Sequence, residues 1–253
     1  MALNGLSTNQ VIRIFVEPGS LHGETLYLKG QDHKHISLVM RQRPGDNLLL
    51  LDGNGVARFG TIEKICSSET EVRLNEALKI ESEPPCHLLV LQSMGKGDKF
   101  EQVLQHGTEV GATCFQPVMS ERSVVNLADD KLPEKMERWR RILKGAAEQS
   151  GRGVIPSLLP PKSLADALSH STADCRLFLH TEANLPCIAD VLKDNPESIL
   201  LAVGPEGGWS NAEIMHAKEN GCIAVSLMPR TLRTETAALV AISQLLYHIE
   251  RRH

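Results

Sequence analysis

The sequence predicts an α/β protein in two parts, a small β-barrel or sandwich followed by a mostly parallel α/β sheet. Three observations predict it. Up to about Leu78 the chain reads as short β-forming runs split by Gly, Pro and Asp. Ser82–Pro85 then places two adjacent prolines in the path, which continue neither a helix nor a central strand. Beyond them, apolar strand-like runs alternate with helical patterns, which implies parallel strands covered by helices. The expected boundaries are a first domain over 1–78, a linker over 79–85 and a second domain over 86–253.

The first part offers five strands: RIFV, TLYL, NLLLLD, ARFGTIEKI and ETEVRL. Pro44–Asp46 and Asp52–Gly55 are strong turn signals between them. DHKHISLVMRQ is the exception, because Ile36, Val39 and Met40 fall at helical spacing and predict one short helix. The second part opens with the buried-type run His87–Gln92. Asp98 and Glu101 have the spacing of a capping box, and Phe100, Val103, Leu104 and Val110 follow as one helical face. TCFQPVMS is the next strand. Pro133 to Gln149 predicts a helix with Met136, Trp139, Ile142, Leu143, Ala146 and Ala147 inward and Gly151 past its end. CRLFLH, SILLAVG and CIAVSLM are three further strands, and Ser210 with Glu213 makes a second capping box between the last two. Thr234 is placed to cap a long final helix, whose Leu239, Ile242, Leu246 and Ile249 repeat at helical intervals.

Composition narrows the function classes. The chain has 253 residues, 42% hydrophobic and 23% charged, enough to bury a core without covalent staples. Its weakly polar run Thr236–Tyr247 is far short of the ~20 residues that span a bilayer. The start of the sequence has no basic block followed by an apolar one, so no signal peptide is expected and the cytoplasm is the expected location. The six cysteines form no C-x-x-C pair and lie mostly in or beside apolar runs, as reduced thiols do; no metal site is expected. The net charge of −4 excludes a uniformly basic nucleic-acid binder, yet local basic stretches remain. Lys34, Arg41 and Arg43 stand against Asp32 in Gln31–Arg43, and Lys131–Arg152 holds seven Lys or Arg against three Glu. Such patches can meet phosphates on an acidic chain.

Two segments stand where a strand ends and a helix begins, the position at which open α/β sheets bind ligands. Val203-Gly-Pro-Glu-Gly-Gly-Trp-Ser210 is a turn rich in exposed backbone, but it has no phosphate-loop Lys and its Glu206 repels phosphate. Leu227-Met-Pro-Arg-Thr-Leu-Arg-Thr-Glu-Thr-Ala237 carries Arg230 and Arg233 just before a helix N-terminus, where cations oppose the helix dipole. A purely structural role is weak there, and an anion or Glu235 is the better partner. Lys96 and Lys99, the Ser120–Ser123 turn and Glu148–Arg152 are weaker signals taken singly.

Taken together, GPEGG, LRTETAA, SERSVV and EQSGR, in this sequence beside the front motifs RIFV, HKHISLVMR and RPGDNLLLLDGNG, resemble the ribosomal small subunit methyltransferase E family. The resemblance covers nearly the whole chain and departs at Met228-Pro229, where the family more often has a glycine after the leucine. It implies a PUA-like RNA-binding barrel, then a SPOUT-class α/β domain with a deep trefoil knot, working as a homodimer without a metal. It implies S-adenosylmethionine (SAM) as cofactor and N3 of a uridine in the 16S rRNA of the small ribosomal subunit as target. Carried over, the SAM pocket takes Leu179 and His180; Val203, Gly204, Pro205, Glu206 and Gly207; then Leu227, Met228, Leu232, Thr234 and Thr236. Arg233 is the expected stabiliser of a developing uracil anion, with Arg230 in reserve and Glu206 and Glu235 as the nearby carboxylates. The expected RNA contacts are Arg13, Lys34, His35, Arg41 and Arg43 in front, and Lys96, Arg122, Arg138 and Arg152 behind. The rival readings are a non-catalytic RNA-binding or assembly factor on the same fold, and a SPOUT methyltransferase with another RNA target. The missing glycine fingerprint counts against a nucleotide-dependent dehydrogenase.

Overall fold

The structure, a computed structural model, describes residues 11–95, 97–123, 131–182, 184–192, 195–227 and 229–251. Its contacts divide the chain into two units, Met1–Glu83 with Ala147–Ile155, and Pro84–Ala146 with Pro156–His253.

The first unit begins with β1 (Ile12–Phe15), a 3-10 turn at Ser20–His22 and β2 (Thr25–Lys29). A helical turn α1 (Gly30–Lys34) runs on into a π-helical turn at His35–Val39, and β3 (Asn47–Leu51), β4 (Ala57–Ile65) and β5 (Glu69–Leu78) complete it. The five strands make one sheet in the order β1-β3-β4-β5-β2, with β1 and β3 parallel and the other neighbours antiparallel. The β4–β5 register slips at Arg58/Gly60 and again at Ile62/Lys64; such irregularities bend and twist a sheet. Gly60 is required at the first, because a Cβ there would lie 2.5 Å from Val72 Cγ1. Both edge strands feed one core, in which Ile14 of β1 and Leu28 of β2 join Ile36, Leu48, Leu50, Ile62 and Val72, so the sheet curls on itself. Its other face carries Phe15, Leu49, Leu51 and Phe59, which pack with Ala147 and Ile155. Being buried on both faces explains why residues 48–51 are apolar throughout rather than alternating.

The stretch read as a linker holds a clamp. Glu83 Oε2 accepts from Arg152 Nη2 at 2.6 Å and Nε at 3.2 Å, and its Oε1 accepts from the N–H groups of Gly153 and Val154 at 2.9 and 3.1 Å. One carboxylate thus satisfies four donors and fixes the segment that returns to this unit. The short helix differs from its expected packing: Ile36 is fully buried, but Val39 and Met40 are 66% and 40% exposed, because the switch to π-winding turns them outward from the face that Ile36 occupies.

The second unit runs β6 (His87–Ser93), α2 (Lys99–Val110), β7 (Cys114–Met119), α3 (Leu132–Ser150, counted with the first unit from Ala147), β8 (Ser157–Leu158), β9 (Lys162–Ser163) and α4 (Leu164–Ser169). It continues with β10 (Cys175–Leu179), α5 (Ile188–Val191), β11 (Ser198–Val203), α6 (Asn211–Glu219), β12 (Ile223–Val225) and α7 (Thr234–Glu250). Its seven-stranded sheet is ordered β12-β10-β11-β6-β7-β8, with β9 beside β7, and every pair is parallel. β11 lies between β10 and β6, and its Ile199 to Val203 are buried. Each fully buried Leu or Ile of this kind contributes roughly 1.5–3 kcal/mol over its exposed state.

Two of the expected caps fail, for different reasons. Asp98 precedes α2 but makes no cap bond, because its backbone is not extended (ψ 7°) and its Oδ2 accepts from Gln102 Nε2 instead. Thr234 is the first helical residue of α7, not its cap, and its hydroxyl is used elsewhere. The Ser210–Glu213 box does form, reciprocally, at the start of α6.

Candidate functional site

The carboxyl ends of β10, β11 and β12 open into loops rather than continuing the sheet, and those loops enclose a cavity of about 500 Å³. The end of β10 supplies Leu179, His180 and Thr181. The turn after β11 supplies Val203 to Trp209. Beyond β12, Val225, Ser226 and Leu227, then Pro229 to Thr234, and finally Ala237 of α7 form the remaining wall. The two segments singled out in the sequence therefore face each other across one space. Of the expected pocket residues, Thr236 does not line it, and Met228 lies outside the described residues. Trp209, Ser226 and Ala237 line it without having been expected, although Trp209 closes the glycine turn in the sequence.

A small set of hydrogen bonds sets the shape of the walls. Trp209 is 3% exposed, stacks on Phe178 with centroids 4.7 Å apart, and donates its indole N–H to Leu179 O at 3.0 Å. That bond ties the turn after β11 to the end of β10. Gly204 lies flat against the same indole: a Cβ there would sit 2.9 Å from the ring, so only glycine fits. The Thr234 hydroxyl donates to Gly204 O at 2.5 Å and accepts from Gln92 Nε2 at 2.9 Å, joining β6, the turn and the start of α7. The carbonyl can only accept, so the threonine's single proton goes to it and the amide of Gln92 must present its nitrogen. The His180 N–H donates to Val225 O at 3.0 Å, which fixes the β10 wall to β12.

Charge gathers at the turn. Lys99, the first residue of α2, forms an ion pair with Glu206, and its pKa is raised, chiefly by that hydrogen bond. Glu235 adds to the rise from a distance, while partial burial and Arg233 oppose it. Glu206 thus sits on the cavity wall with its Oε1 engaged by Lys99. Glu235 is not on that wall; its Oε2 is buried with no hydrogen-bond partner among the described residues. Arg230 and Arg233 both line the cavity and are exposed.

The expected RNA-facing residues part company. Lys34, His35, Arg41 and Arg43 are exposed around the π-helical turn. Arg13 is half-buried, with its guanidinium against Gly151. Arg122 Nη1 donates to Gly207 O at 2.9 Å and so buttresses the turn, and Arg138 pairs with Glu101 at 2.6 Å. Arg152 leaves the RNA-facing set: it is 2% exposed and its guanidinium is committed to Glu83. Lys96 lies outside the described residues. Among the described residues, no group of three or more His, Cys, Asp or Glu could hold a metal ion, and no helix is long and apolar enough to cross a membrane.

Comparison with known proteins gives consistent matches. The RNA methyltransferase domain family matches residues 82–246, and the RNA methyltransferase PUA domain family matches residues 28–72. The ribosomal RNA small subunit methyltransferase E of Bacillus subtilis is 32% identical over 89% of this chain and 91% of that protein. A Legionella pneumophila methyltransferase solved in complex with SAM superposes with a TM-score of 0.85 and 34% identity, covering 93% of this chain and 97% of that one. The ribosomal RNA small subunit methyltransferase E of Neisseria gonorrhoeae, solved bound to S-adenosyl methionine, gives a TM-score of 0.85 at 32% identity, covering 93% and 96%.

Proposed function

Because the chain belongs to the ribosomal RNA small subunit methyltransferase E family, we propose that it transfers a methyl group from SAM to N3 of a uridine in the 16S rRNA of the small ribosomal subunit. The observation that carries this reading is the cavity itself, in which the turn Val203–Gly208 and the bend Leu227–Thr234 face each other. The residues present fit the cofactor. The volume is in the range of small-molecule sites, and Leu179, Val203, Leu227, Leu232 and Ala237 give apolar contact. Backbone groups of the two loops supply the polar complement, and the bare Gly204 lets Trp209 pack behind the turn and hold that wall in place.

When bound, SAM supplies an electrophilic methyl on a sulfonium. The chain's own residues do the rest. Uracil N3 carries a proton at neutral pH, so the proton must leave as the N3 lone pair attacks, and the ring becomes anionic. Arg233, on the cavity wall just before α7, is in position to neutralise that charge at a uracil oxygen, with Arg230 beside it. Glu206, paired with Lys99, is the carboxylate on the cavity wall, and the proton that leaves N3 passes to it or to solvent. Trp209, Thr234 and Gln92 hold the loops so that donor and acceptor meet at reacting distance. A base in folded rRNA must leave its stack to reach such a cavity. The trefoil knot, the homodimer, the first unit as RNA-binding domain and the cytoplasmic location belong to this reading through the family resemblance.

Calorimetry with SAM, followed by mass spectrometry of 16S rRNA nucleosides from small subunits treated with the protein and SAM, tests it. The expected result is binding and a new 3-methyluridine. Failure to bind SAM makes the chain an RNA-binding factor on this fold, and a methyl on another atom makes it a methyltransferase of a different target.

A further inference from the structure

The π-helical turn of the first unit presents an unusual surface. Leu38, Val39 and Met40 are consecutive, and they are 69%, 66% and 40% exposed. Three adjacent exposed aliphatic side chains cost solubility and are kept where they meet something. They stand on a firm base: Ile36 beneath them is fully buried, and the neighbouring His33 ring nitrogen Nδ1 lies 2.8 Å from Thr70 Oγ1. The N–H groups of Met40 and Gln42 donate back to His35 O and Ile36 O at 2.9 and 3.0 Å. Arg41 then takes a left-handed conformation, φ 51°, which a non-glycine residue adopts only under local constraint, and turns the chain back.

Cations ring this knuckle. Lys34, His35, Arg41 and Arg43 are exposed around it, and Lys34, Arg41 and Arg43 enter no ion pair among the described residues. The nearest carboxylate in sequence to Arg43, that of Asp46, is engaged by the Arg43 backbone N–H at 2.7 Å. Unneutralised cations about an apolar centre complement a polyanion that also offers flat apolar faces, which is RNA. A second copy of the chain fits poorly, because a two-fold contact would set Arg41 and Arg43 against their own kind.

We propose that Leu38, Val39 and Met40 form an apolar wedge that packs against or between RNA bases, while Lys34, Arg41 and Arg43 hold the adjoining phosphates. The proposal rests on the RNA-methyltransferase reading and deepens it by naming a base-contacting surface on the first unit. Aliphatic side chains prise open base steps in other nucleic-acid complexes, where the lost stacking is repaid by added contact. This chain has only nine Phe, Trp and Tyr, so an aliphatic wedge does what an aromatic platform would do elsewhere.

The test uses the full chain, 16S rRNA, and a short single-stranded RNA carrying one 2-aminopurine, whose emission rises when it leaves the stack. Wild-type protein should bind both RNAs and raise the emission. Leu38→Ser/Val39→Ser should lose the rise and bind about tenfold more weakly, with an unchanged salt slope and an unchanged melting temperature, since both side chains are exposed. Arg41→Asn/Arg43→Gln should keep the rise at saturation but lower the salt slope by about one to two, the mark of lost phosphate contacts. An undiminished rise in the Leu38→Ser/Val39→Ser variant overturns the wedge, as does wild-type protein that binds neither RNA. A sedimentation mass that drops in that variant also overturns it, because the patch would then join two copies. Absence of SAM binding alongside an intact wedge signature would overturn the methyltransferase reading and leave the wedge standing.

Discussion

At the level of single residues, two positions on the cavity wall separate binding from chemistry. Arg233 is exposed and lines the cavity, and a charge that stabilises only a developing anion acts in the transition state alone. Arg233→Ala should therefore lower kcat by about a hundredfold, roughly 3 kcal/mol, with the SAM dissociation constant little changed in calorimetry. Equal losses in both would make Arg233 a cofactor-binding residue. Thr234 is a different case. It is buried, and its hydroxyl satisfies both Gly204 O and Gln92 Nε2. Thr234→Val keeps the shape, removes the donor from part-buried Gly204 O and leaves Gln92 Nε2 with only its bond to Ser93 O, so it should cost about 1–3 kcal/mol in denaturant unfolding and weaken SAM binding. Thr234→Ser restores the hydroxyl and should recover most of both. If valine and serine behave alike, the hydrogen-bond chain is not what shapes the wall.

At the level of elements, one cap makes a clean comparison. The Ser210 hydroxyl accepts from the Glu213 N–H at 3.2 Å, and Glu213 Oε2 accepts in return from the Ser210 N–H at 2.8 Å. Ser210→Ala should cost about 1 kcal/mol by thermal or urea unfolding, whereas Asp98→Ala, with no cap bond to lose, should cost much less. The same pair shows what a sequence pattern carries. S-x-x-E and D-x-x-E look alike as strings, but only an extended backbone lets the side chain reach the third amide, and backbone angle is not written locally. The strands β6 and β11 were legible because burial on both faces leaves a continuous apolar run, and β7 and β10 as shorter apolar stretches interrupted by Gln116-Pro117 and Arg176. The two-residue strands β8 and β9 and the one-turn α5 were not, because a segment that short has no period to detect. The return of Ala147–Ile155 to the first unit was equally invisible, since it depends on Glu83, 69 residues before Arg152 in the chain. The cavity loops were located by position alone, a strand end meeting a helix start. Gln92 was missed because an amide inside an apolar strand reads as an irregularity until its partner on α7 is known.

For the whole molecule, the thiols give a pH signature. Burial pushes Cys86, Cys114 and Cys222 from 9.0 to about 11; Glu250 adds to the first, and Arg176 opposes the last. The unfolded chain then loses these protons before the folded one does. Stability should be flat with respect to these groups below pH 9 and should fall as pH rises from 9 to about 11, read as urea midpoints across that window. Serine at all three positions should flatten the slope, and an unchanged slope would assign it to other groups. The arrangement of the cavity also bears on how the protein is made. Its walls come from residues 179–181, 203–209, 225–234 and 237, in that order of synthesis. A nascent chain halted at residue 220 would already own β10, β11 and the glycine turn, yet it would lack the piece that closes them into a container. Ligand cannot therefore chaperone the early polypeptide: the translating ribosome must deliver residue 237 before anything can be captured. For a protein proposed to modify ribosomes, the machine that builds it has withdrawn from most of the chain before its own prospective modifier can be charged.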